Sequence, residues 1–300
     1  MINYSIIIPH YNTPELLMRC LATIPVRNDI QVIVIDDCSP NADSYLDKYP
    51  ELSRPYLEYY STAQGGSAGR ARNIGLDNAK GKWVVCMDAD DMFVSNIEEI
   101  LAESLDRSED IIYFNYKTVM NDDLSKEGHR KEYQEFFQIV NNKKKNLYFR
   151  YYFDPMWGKI ISNKLIKEHY IRCDETRYGN DVAFSFKCGA FAKNIAIIDK
   201  PFFIITEREC SLAAAQFTNT KQSVDEYKIR LGVLLNLIKF IEKEKINVKY
   251  RRYPIHAYKF FKDWPSDFVN YYFNYLLPQY TKCSIMIIPY IVYYAFIRRI

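Results

Sequence analysis

Short apolar runs that alternate with helical segments are the feature that most constrains the fold of the first 120 residues. The runs YSIII, IQVIVID and WVVCMD, at residues 4–8, 30–36 and 83–88, carry apolar side chains on both faces of a strand. Strands of this kind are buried on both sides, which is typical of parallel sheets covered by helices. The sequence therefore predicts an α/β fold, with a Rossmann-like, mostly parallel sheet and helices on both faces.

Local signals predict where several elements begin and end. Pro9 is expected to end the first strand, because proline cannot donate a ladder hydrogen bond. Thr13, directly before Pro14, is the expected N-cap of the first helix. Ser95 and Glu98 have the spacing of a capping box, which predicts the start of another helix.

Polar clusters follow three of the predicted strands. They are Pro9 to Tyr11, then Asp36 with Asp37, and finally Asp88 with Asp90 and Asp91. In parallel sheets, ligands bind beyond the carboxyl ends of the strands, so the three clusters are expected to form one site. A structural interpretation stays open for two of them. The DADD segment could cap the next helix, and Asp36 and Asp37 could form an Asx turn.

The residue types in these clusters favour a site for a divalent cation and a diphosphate. Carboxylate oxygens are the ligands of hard cations such as Mg²⁺ and Mn²⁺. Arg70 and Arg72, in the glycine-rich QGGSAGRARNIG that is predicted to lead into a helix, could neutralise the same phosphates. No glycine follows the first strand directly and no GxxxxGK[ST] occurs, which excludes a dinucleotide fingerprint and a P-loop.

Composition limits the partners and the compartment. The net charge of +3 is too small to indicate nucleic-acid binding. The seven cysteines lack CxxC pairing, which favours reduced thiols, a cytoplasmic location and no structural zinc. The first residues have no basic region of a signal peptide. These features predict a cytoplasmic protein.

The C-terminal region is predicted to be helical from about residue 218 and is rich in aromatic residues. Its last segment, CSIMIIPYIVYYAFIRRI, is apolar but is interrupted by Pro289 and ends in a basic pair. Such a segment suits peripheral contact with the inner face of the membrane. A final helix packed on its own domain is the alternative.

Three segments together, SIIIPHYN, VIVIDDCSP and GGSAGRARNIGLDNAKGKWVVCMDADD, resemble the inverting GT-A glycosyltransferases of the family 2 type. The likeness weakens through WGKIISNKLI, YGNDVAFSF and ITERECSL, to about residue 212. The resemblance implies a GT-A nucleotide-sugar-binding and catalytic domain at 1–212. Residues 213–300 would form a helical extension for membrane or acceptor contact.

The resemblance also implies roles in nucleotide binding. Tyr11 would stack on the base, and Pro9 would shape the base pocket through its backbone. Asp37 would accept a hydrogen bond from the base, most often uracil in this family. Arg70 or Arg72 would approach the diphosphate.

The DADD segment corresponds to the DxD motif of the family. Asp88 would contact the ribose, Asp90 would hold Mn²⁺ or Mg²⁺, and Asp91 would replace or support either one. Some relatives supply a late histidine to the metal, but ITERECSL has none, so cation binding is expected to be weak without the nucleotide.

The general base in this family is an aspartate at a helix start, usually preceded by glutamate. Here Asp181 is the matching residue, and Asn180 replaces the glutamate. Capping of the helix is the alternative role for Asp181. Trp157 is a candidate platform for an acceptor sugar, with core packing as the equal alternative.

The sequence thus predicts an inverting glycosyltransferase that moves a sugar from a nucleotide sugar, with UDP favoured, to a glycan or lipid-linked glycan. The product would be a surface polysaccharide. A nucleotidyltransferase is the first alternative, but its usual basic glycine-rich loop is absent from PHYNTPE. A non-catalytic nucleotide-binding module is the second, and the presence of Asp181 argues against it.

Overall fold

The computed structural model describes residues 1–208, 222–248 and 252–276. Contacts divide the chain into two compact units, Met1–Ala215 and Gln216–Ile300. The boundary predicted after residue 212 lies outside the described residues, as does the apolar segment from residue 277 onward.

The first unit is built on a mixed, mostly parallel sheet. Its strands in chain order are β1 Tyr4–His10, β2 Ile30–Asp36, β3 Leu57–Ser61, β4 Trp83–Cys86, β5 Met92–Phe93, β6 Ile111–Met120, β7 Lys159–Ser162 and β8 Ile195–Glu207. Their order across the sheet is β3-β2-β1-β4-β7-β6-β8-β5. Strands β3, β2, β1 and β4 are parallel, as are β6 and β8, whereas β7 and β5 run antiparallel to their neighbours. The predicted fold class is confirmed.

The helices of the two units also follow in chain order. In the first unit they are α1 Pro14–Ala22, α2 Tyr45–Lys48, α3 Ala68–Asn78, α4 Ile97–Leu105, α5 Asn142–Tyr152, α6 Asn163–Glu168 and α7 Val182–Phe191. The second unit has α8 Val224–Lys243, α9 Arg252–Asp263, α10 Pro265–Tyr271 and a π-helical turn at Tyr272–Leu276. Short 3₁₀ turns lie at Ala42–Ser44, Pro50–Ser53 and Gln134–Gln138.

The central strands form the core because nearly all of their side chains are buried, including every residue of β2. Strand β1 does not end at Pro9 but continues to His10, which pairs with Asp36. The proline is tolerated because β1 pairs with β4 only as far as Ile7. The backbone nitrogen of Pro9, like the bonding groups of Ile7 two residues earlier, faces β4. Its missing N–H therefore costs no ladder hydrogen bond.

Two predictions about helix starts need correction. Helix α1 begins at Pro14 as expected, but the Thr13 side chain makes no capping hydrogen bond. The capping box is wrong, since α4 begins at Ile97 after Asn96 and has no side-chain cap. The three-residue spacing of Ser95 and Glu98 does not by itself specify a cap. Here the chain before α4 forms β5 and a turn instead.

Two helical glycines make a matched pair for testing the packing. A Cβ atom on Gly189 in α7 would lie 2.0 Å from the Arg150 carbonyl oxygen of α5, whereas one on Gly232 in α8 would meet nothing within 4 Å. We expect Gly189→Ala to lower the free energy of unfolding by about 2 kcal/mol through overpacking. Gly232→Ala should raise it by about 1 kcal/mol through helix propensity.

Urea denaturation followed by circular dichroism measures both changes against the wild type. A Gly189→Ala variant as stable as the wild type would show that α5 and α7 are not in close contact.

Candidate active site

The three predicted polar clusters lie at one edge of the sheet. Strands β2, β1 and β4 are parallel neighbours, and their carboxyl ends lead directly into Asp37, Tyr11 and Asp88. Backbone hydrogen bonds fix these ends together, since Asp37 N donates to His10 O and Met87 N donates to Ile7 O. The prediction that the clusters share one sheet edge is confirmed by this topology.

Asp36 is a structural residue that shapes the ends of β1 and β2. Its carboxylate lies 2.7 Å from His10 Nδ1 and accepts hydrogen bonds from the backbone N–H and the hydroxyl of Ser39. Thr13 N donates to His10 Nε2, which assigns the donor role toward Asp36 to His10 Nδ1. Burial raises the pKa of Asp36, but the hydrogen bonds from His10 and Ser39 outweigh it and lower the pKa. Asp36 therefore has the structural role of the alternative interpretation, but through the N–H three residues on and not two, as an Asx turn would require.

Asp37 points to the opposite side, toward the glycine-rich loop. Both of its carboxylate oxygens accept a hydrogen bond from Gly66 N, at 3.0 and 3.2 Å. Tyr11 is 58% exposed, so its ring is available to a ligand. Pro9 lies half-buried in β1. The geometry supports a base pocket at these residues, and their individual roles stay predictions.

Helix α3 begins beside this pocket. The Ser67 hydroxyl accepts a hydrogen bond from Arg70 N and caps the helix. The Arg70 side chain donates to the Gln64 carbonyl and forms no ion pair with any described residue. A helix N-terminus with a nearby arginine suits an anionic group.

Arg72 differs from Arg70, because its guanidinium is buried and bound to protein partners. It lies 2.6 Å from Asp88 Oδ1 and donates at 2.7 Å to Asn180 Oδ1. Of the two arginines proposed for the diphosphate, the geometry therefore favours Arg70. Arg72 instead joins the DxD segment to the residue beside Asp181.

Helix α3 also holds the segment that leads to Asp181. A Cβ atom on Gly69 would lie 2.1 Å from the Asp174 carbonyl oxygen, so this close approach requires glycine. The Asn73 amide donates to Cys173 O and accepts from Cys173 N. Asn73 is a positioning residue that the sequence interpretation missed. Asn180 is a second one, which the sequence interpretation named only as the replacement of a glutamate.

Asp181 stands at the N-cap position of α7, but its side chain makes no capping hydrogen bond. The capping alternative is therefore not supported. Burial raises the pKa of Asp181, while the positive charge of Arg72 acts in the opposite direction. A half-buried carboxylate without a capping partner is suited to proton transfer, and the catalytic role of Asp181 stays a prediction.

The three carboxylates of the DxD segment face three separate partners. Asp88 pairs with Arg72, and Asp90 Oδ2 lies 2.6 Å from the Arg208 guanidinium. Asp91 is 3% exposed and accepts a hydrogen bond from Thr206 N at 2.8 Å. Burial, followed by the charges of Asp90 and Asp88, raises the pKa of Asp91. Asp91 thus joins β5 to β8, and its predicted role as a metal ligand is not supported.

The donor set fits a hard divalent cation only with help from the substrate. Among residues 1–208, 222–248 and 252–276, no three His, Cys, Asp or Glu side chains converge on one point. Asp90 and Asp88 offer carboxylate oxygens, the ligand type that Mn²⁺ and Mg²⁺ prefer. Asp90 is the carboxylate that would hold the cation.

Trp157 lies in an aromatic cluster of the core. It is 6% exposed, packs edge-on against Tyr116 and Phe153, and has the Arg130 guanidinium over its ring at 5.9 Å. This placement favours the core-packing alternative. The role as an acceptor platform stays a prediction without support from the geometry.

Comparison with solved structures gives the same architecture. Residues 1–349 of TarS from Staphylococcus aureus, in complex with UDP-GlcNAc, superpose with a TM-score of 0.62 at 19% identity. The match covers 91% of this chain and 76% of that one. At this identity the likeness shows the fold.

Sequence comparison gives the family. The chain is 22% identical over 244 residues to the poly(ribitol-phosphate) β-N-acetylglucosaminyltransferase TarS of S. aureus, and 23% identical over 251 residues to the glycosyltransferase GlyA of Streptococcus pneumoniae. These matches cover 79% and 80% of this chain but only 41% and 36% of the relatives. The family model described as Glycosyl transferase family 2 matches residues 5–169. The chain therefore belongs to glycosyl transferase family 2, an inverting family with the GT-A fold.

Proposed function

We propose that this chain transfers a sugar from a UDP-sugar to a glycan or lipid-linked glycan, with inversion at the anomeric carbon. The observation that carries the proposal is the chain of contacts from Asp88 through Arg72 to Asn180, beside Asp181. It connects the segment expected to hold the donor with the carboxylate expected to act as base.

The donor end is supported by the surroundings of the α3 N-terminus. Tyr11 is exposed for stacking, Asp37 faces the loop before α3, and Arg70 lies in the first turn of the helix. Asp88 would contact the ribose. A preference for uracil is supported by the fold shared with TarS, which was solved with UDP-GlcNAc.

The reaction requires one proton acceptor and one stabilised leaving group. The acceptor hydroxyl gives its proton to Asp181 while its oxygen attacks the anomeric carbon from the face opposite the diphosphate. The bond from that carbon to the diphosphate oxygen breaks, and UDP leaves with the electron pair. Arg70 and the α3 N-terminus stabilise the negative charge that develops. A divalent cation, Mn²⁺ or Mg²⁺, held by Asp90 would neutralise the diphosphate when bound.

The proposed setting is surface-polysaccharide synthesis at the inner face of the membrane. Curated relatives include enzymes that act on poly(ribitol phosphate). No helix in the described part of the chain is long and apolar enough to cross a bilayer. The apolar C-terminal segment and the exposed side chains of Val269 and Phe273 suit peripheral contact with lipid.

Replacement of the base tests the enzymatic part of the proposal. We expect Asp181→Asn to reduce sugar transfer by at least about a thousandfold, because an amide cannot accept the hydroxyl proton. The affinity for UDP with Mn²⁺ should stay within about twofold of the wild type, because no nucleotide-binding role is proposed for Asp181. UDP release from a panel of UDP-sugars measures transfer, and calorimetric titration with UDP and GDP measures binding.

The matched control is Asp174→Asn, which removes a carboxylate from the same segment without touching the proposed base. Full transfer by Asp181→Asn would reject the base assignment. UDP binding by a wild-type protein that releases no UDP from any donor would instead favour a non-catalytic module.

The pH dependence of transfer tests the surroundings of Asp181. The base works as a carboxylate, so activity falls as the pH drops through its pKa. Because burial raises that pKa, the acid limb of kcat/KM should lie above the ordinary aspartate value of about 3.9. Arg72→Gln removes the charge that lowers the pKa and should move the limb to still higher pH.

The control is Arg107→Gln, which removes an arginine paired with Glu109 outside the site. The acid limb of kcat/KM in this variant should lie at the same pH as in the wild type. An acid limb at the same pH in all three proteins would contradict the assignment of Asp181.

Membrane contact is tested by deletion of residues 281–300. The wild type should sediment with liposomes that contain anionic lipid, because the segment joins an apolar run to the basic pair Arg298 and Arg299. The shortened protein should stay in the supernatant while its UDP affinity is unchanged. Equal sedimentation of both proteins would reject this role for the segment.

A further inference from the structure

We propose that Arg208 is an internal counterion of Asp90, which excludes a divalent cation until the diphosphate arrives. The inference rests on the proposed function, because it concerns the carboxylate expected to hold the cation. The Arg208 guanidinium lies 2.6 Å from Asp90 Oδ2 and therefore competes with a cation for one of the two carboxylate oxygens.

Asp90 is held in place by its backbone. Its carbonyl oxygen accepts hydrogen bonds from Arg19 Nη2 at 2.6 Å and from the Thr206 hydroxyl at 2.8 Å. The neighbouring Asp91 is anchored to Thr206 N. These contacts fix the backbone from which the Asp90 carboxylate reaches Arg208, and a cation can reach that carboxylate best when the arginine leaves.

Arg208 is attached in a way that lets its side chain leave. Strand β8 ends at Glu207, which pairs with Met120 of β6, so Arg208 is the first residue beyond the ladder. Glu207 is fixed separately, because its carboxylate accepts hydrogen bonds from the Thr118 hydroxyl and from the backbone of residues 129 and 130. The Arg208 side chain is 36% exposed and contacts Asp90 through one nitrogen, while its Nε has no hydrogen-bond partner among the described residues.

The ion pairs of the nucleotide-free site predict how the cation and the nucleotide bind relative to each other. Asp88 is already paired with Arg72, and Asp90 with Arg208, so neither of these two carboxylates of the DxD segment is unpaired in the nucleotide-free site. A divalent ion that enters alone would meet the Arg208 charge at short range. A diphosphate brings negative charge of its own, which can receive both the cation and the released guanidinium. Cation and nucleotide should therefore bind cooperatively, and Arg208 would be the source of this coupling.

Titration of the nucleotide-free protein with Mn²⁺, followed by electron paramagnetic resonance, tests the inference without any turnover. Arg208→Gln and Arg208→Ala should bind Mn²⁺ about tenfold more tightly than the wild type, because a charge-assisted contact no longer competes. Arg208→Lys keeps the charge and should resemble the wild type. Arg107→Gln, which removes another paired arginine, should also resemble it.

Addition of Asp90→Asn to the Arg208→Gln variant locates the effect. The tighter Mn²⁺ binding should disappear in the double variant. Equal Mn²⁺ affinity in the wild type and both neutral variants, or tight binding that survives Asp90→Asn, would overturn the inference.

UDP titration of the same proteins separates this result from the proposed function. With UDP present, the wild type should bind Mn²⁺ at least about tenfold more tightly, and Arg208→Gln should show a smaller gain. Metal-dependent UDP binding with no effect of Arg208 would reject the counterion and leave the glycosyltransferase intact. A wild type that binds no UDP would reject the proposed function itself.

Discussion

The buried guanidinium of Arg72 is the interaction on which the arrangement of the site depends. A charge removed from water needs partners, and Arg72 has two that lie far apart in the sequence, Asp88 and Asn180. One comes from the turn after β4 and the other from the segment before α7. The guanidinium therefore fixes the distance between the DxD segment and Asp181. Loss of Arg72 would leave Asp88 without its cation and Asn180 without its donor.

The replacement of glutamate by Asn180 is consistent with this arrangement. The side-chain oxygen Oδ1 of Asn180 accepts a hydrogen bond from Arg72, and the side-chain nitrogen Nδ2 donates one to Thr176 O. Both polar atoms of the side chain are therefore used. A glutamate could accept the first hydrogen bond but could not donate the second. It would also add a negative charge next to Asp181 and raise the pKa of that carboxylate further. The neutral residue keeps Arg72 in place and leaves its charge to be shared by Asp88 and Asp181.

The sequence was sufficient for the parallel strands β1, β2 and β4 and for the edge at which their polar residues lie, but it did not identify the antiparallel strands β5 and β7. Continuously apolar strands identify a buried parallel sheet, and the polar residues after β1, β2 and β4 then must meet at one end of it. The sequence could not show which of Asp36 and Asp37, or of Asp90 and Asp91, has the structural role. Neighbouring residues at such a position point to opposite sides, and the sequence does not give the side. Nor could it give the contact between Asp90 and Arg208, which are 118 residues apart and meet only because β8 joins the sheet beside β5.

The paired charges have a general consequence for the nucleotide-free state. Two arginines neutralise the two carboxylates that a donor and its cation would need, and the remaining carboxylate of the DxD segment is buried in a structural role. Asp88 and Asp90 thus carry their counterions before any ligand enters, which reduces the repulsion between adjacent negative charges. A ligand must then exchange one set of ion pairs for another. A nucleotide diphosphate with a divalent cation can do so, because it carries both signs of charge, whereas either ion alone would leave a buried charge without a partner.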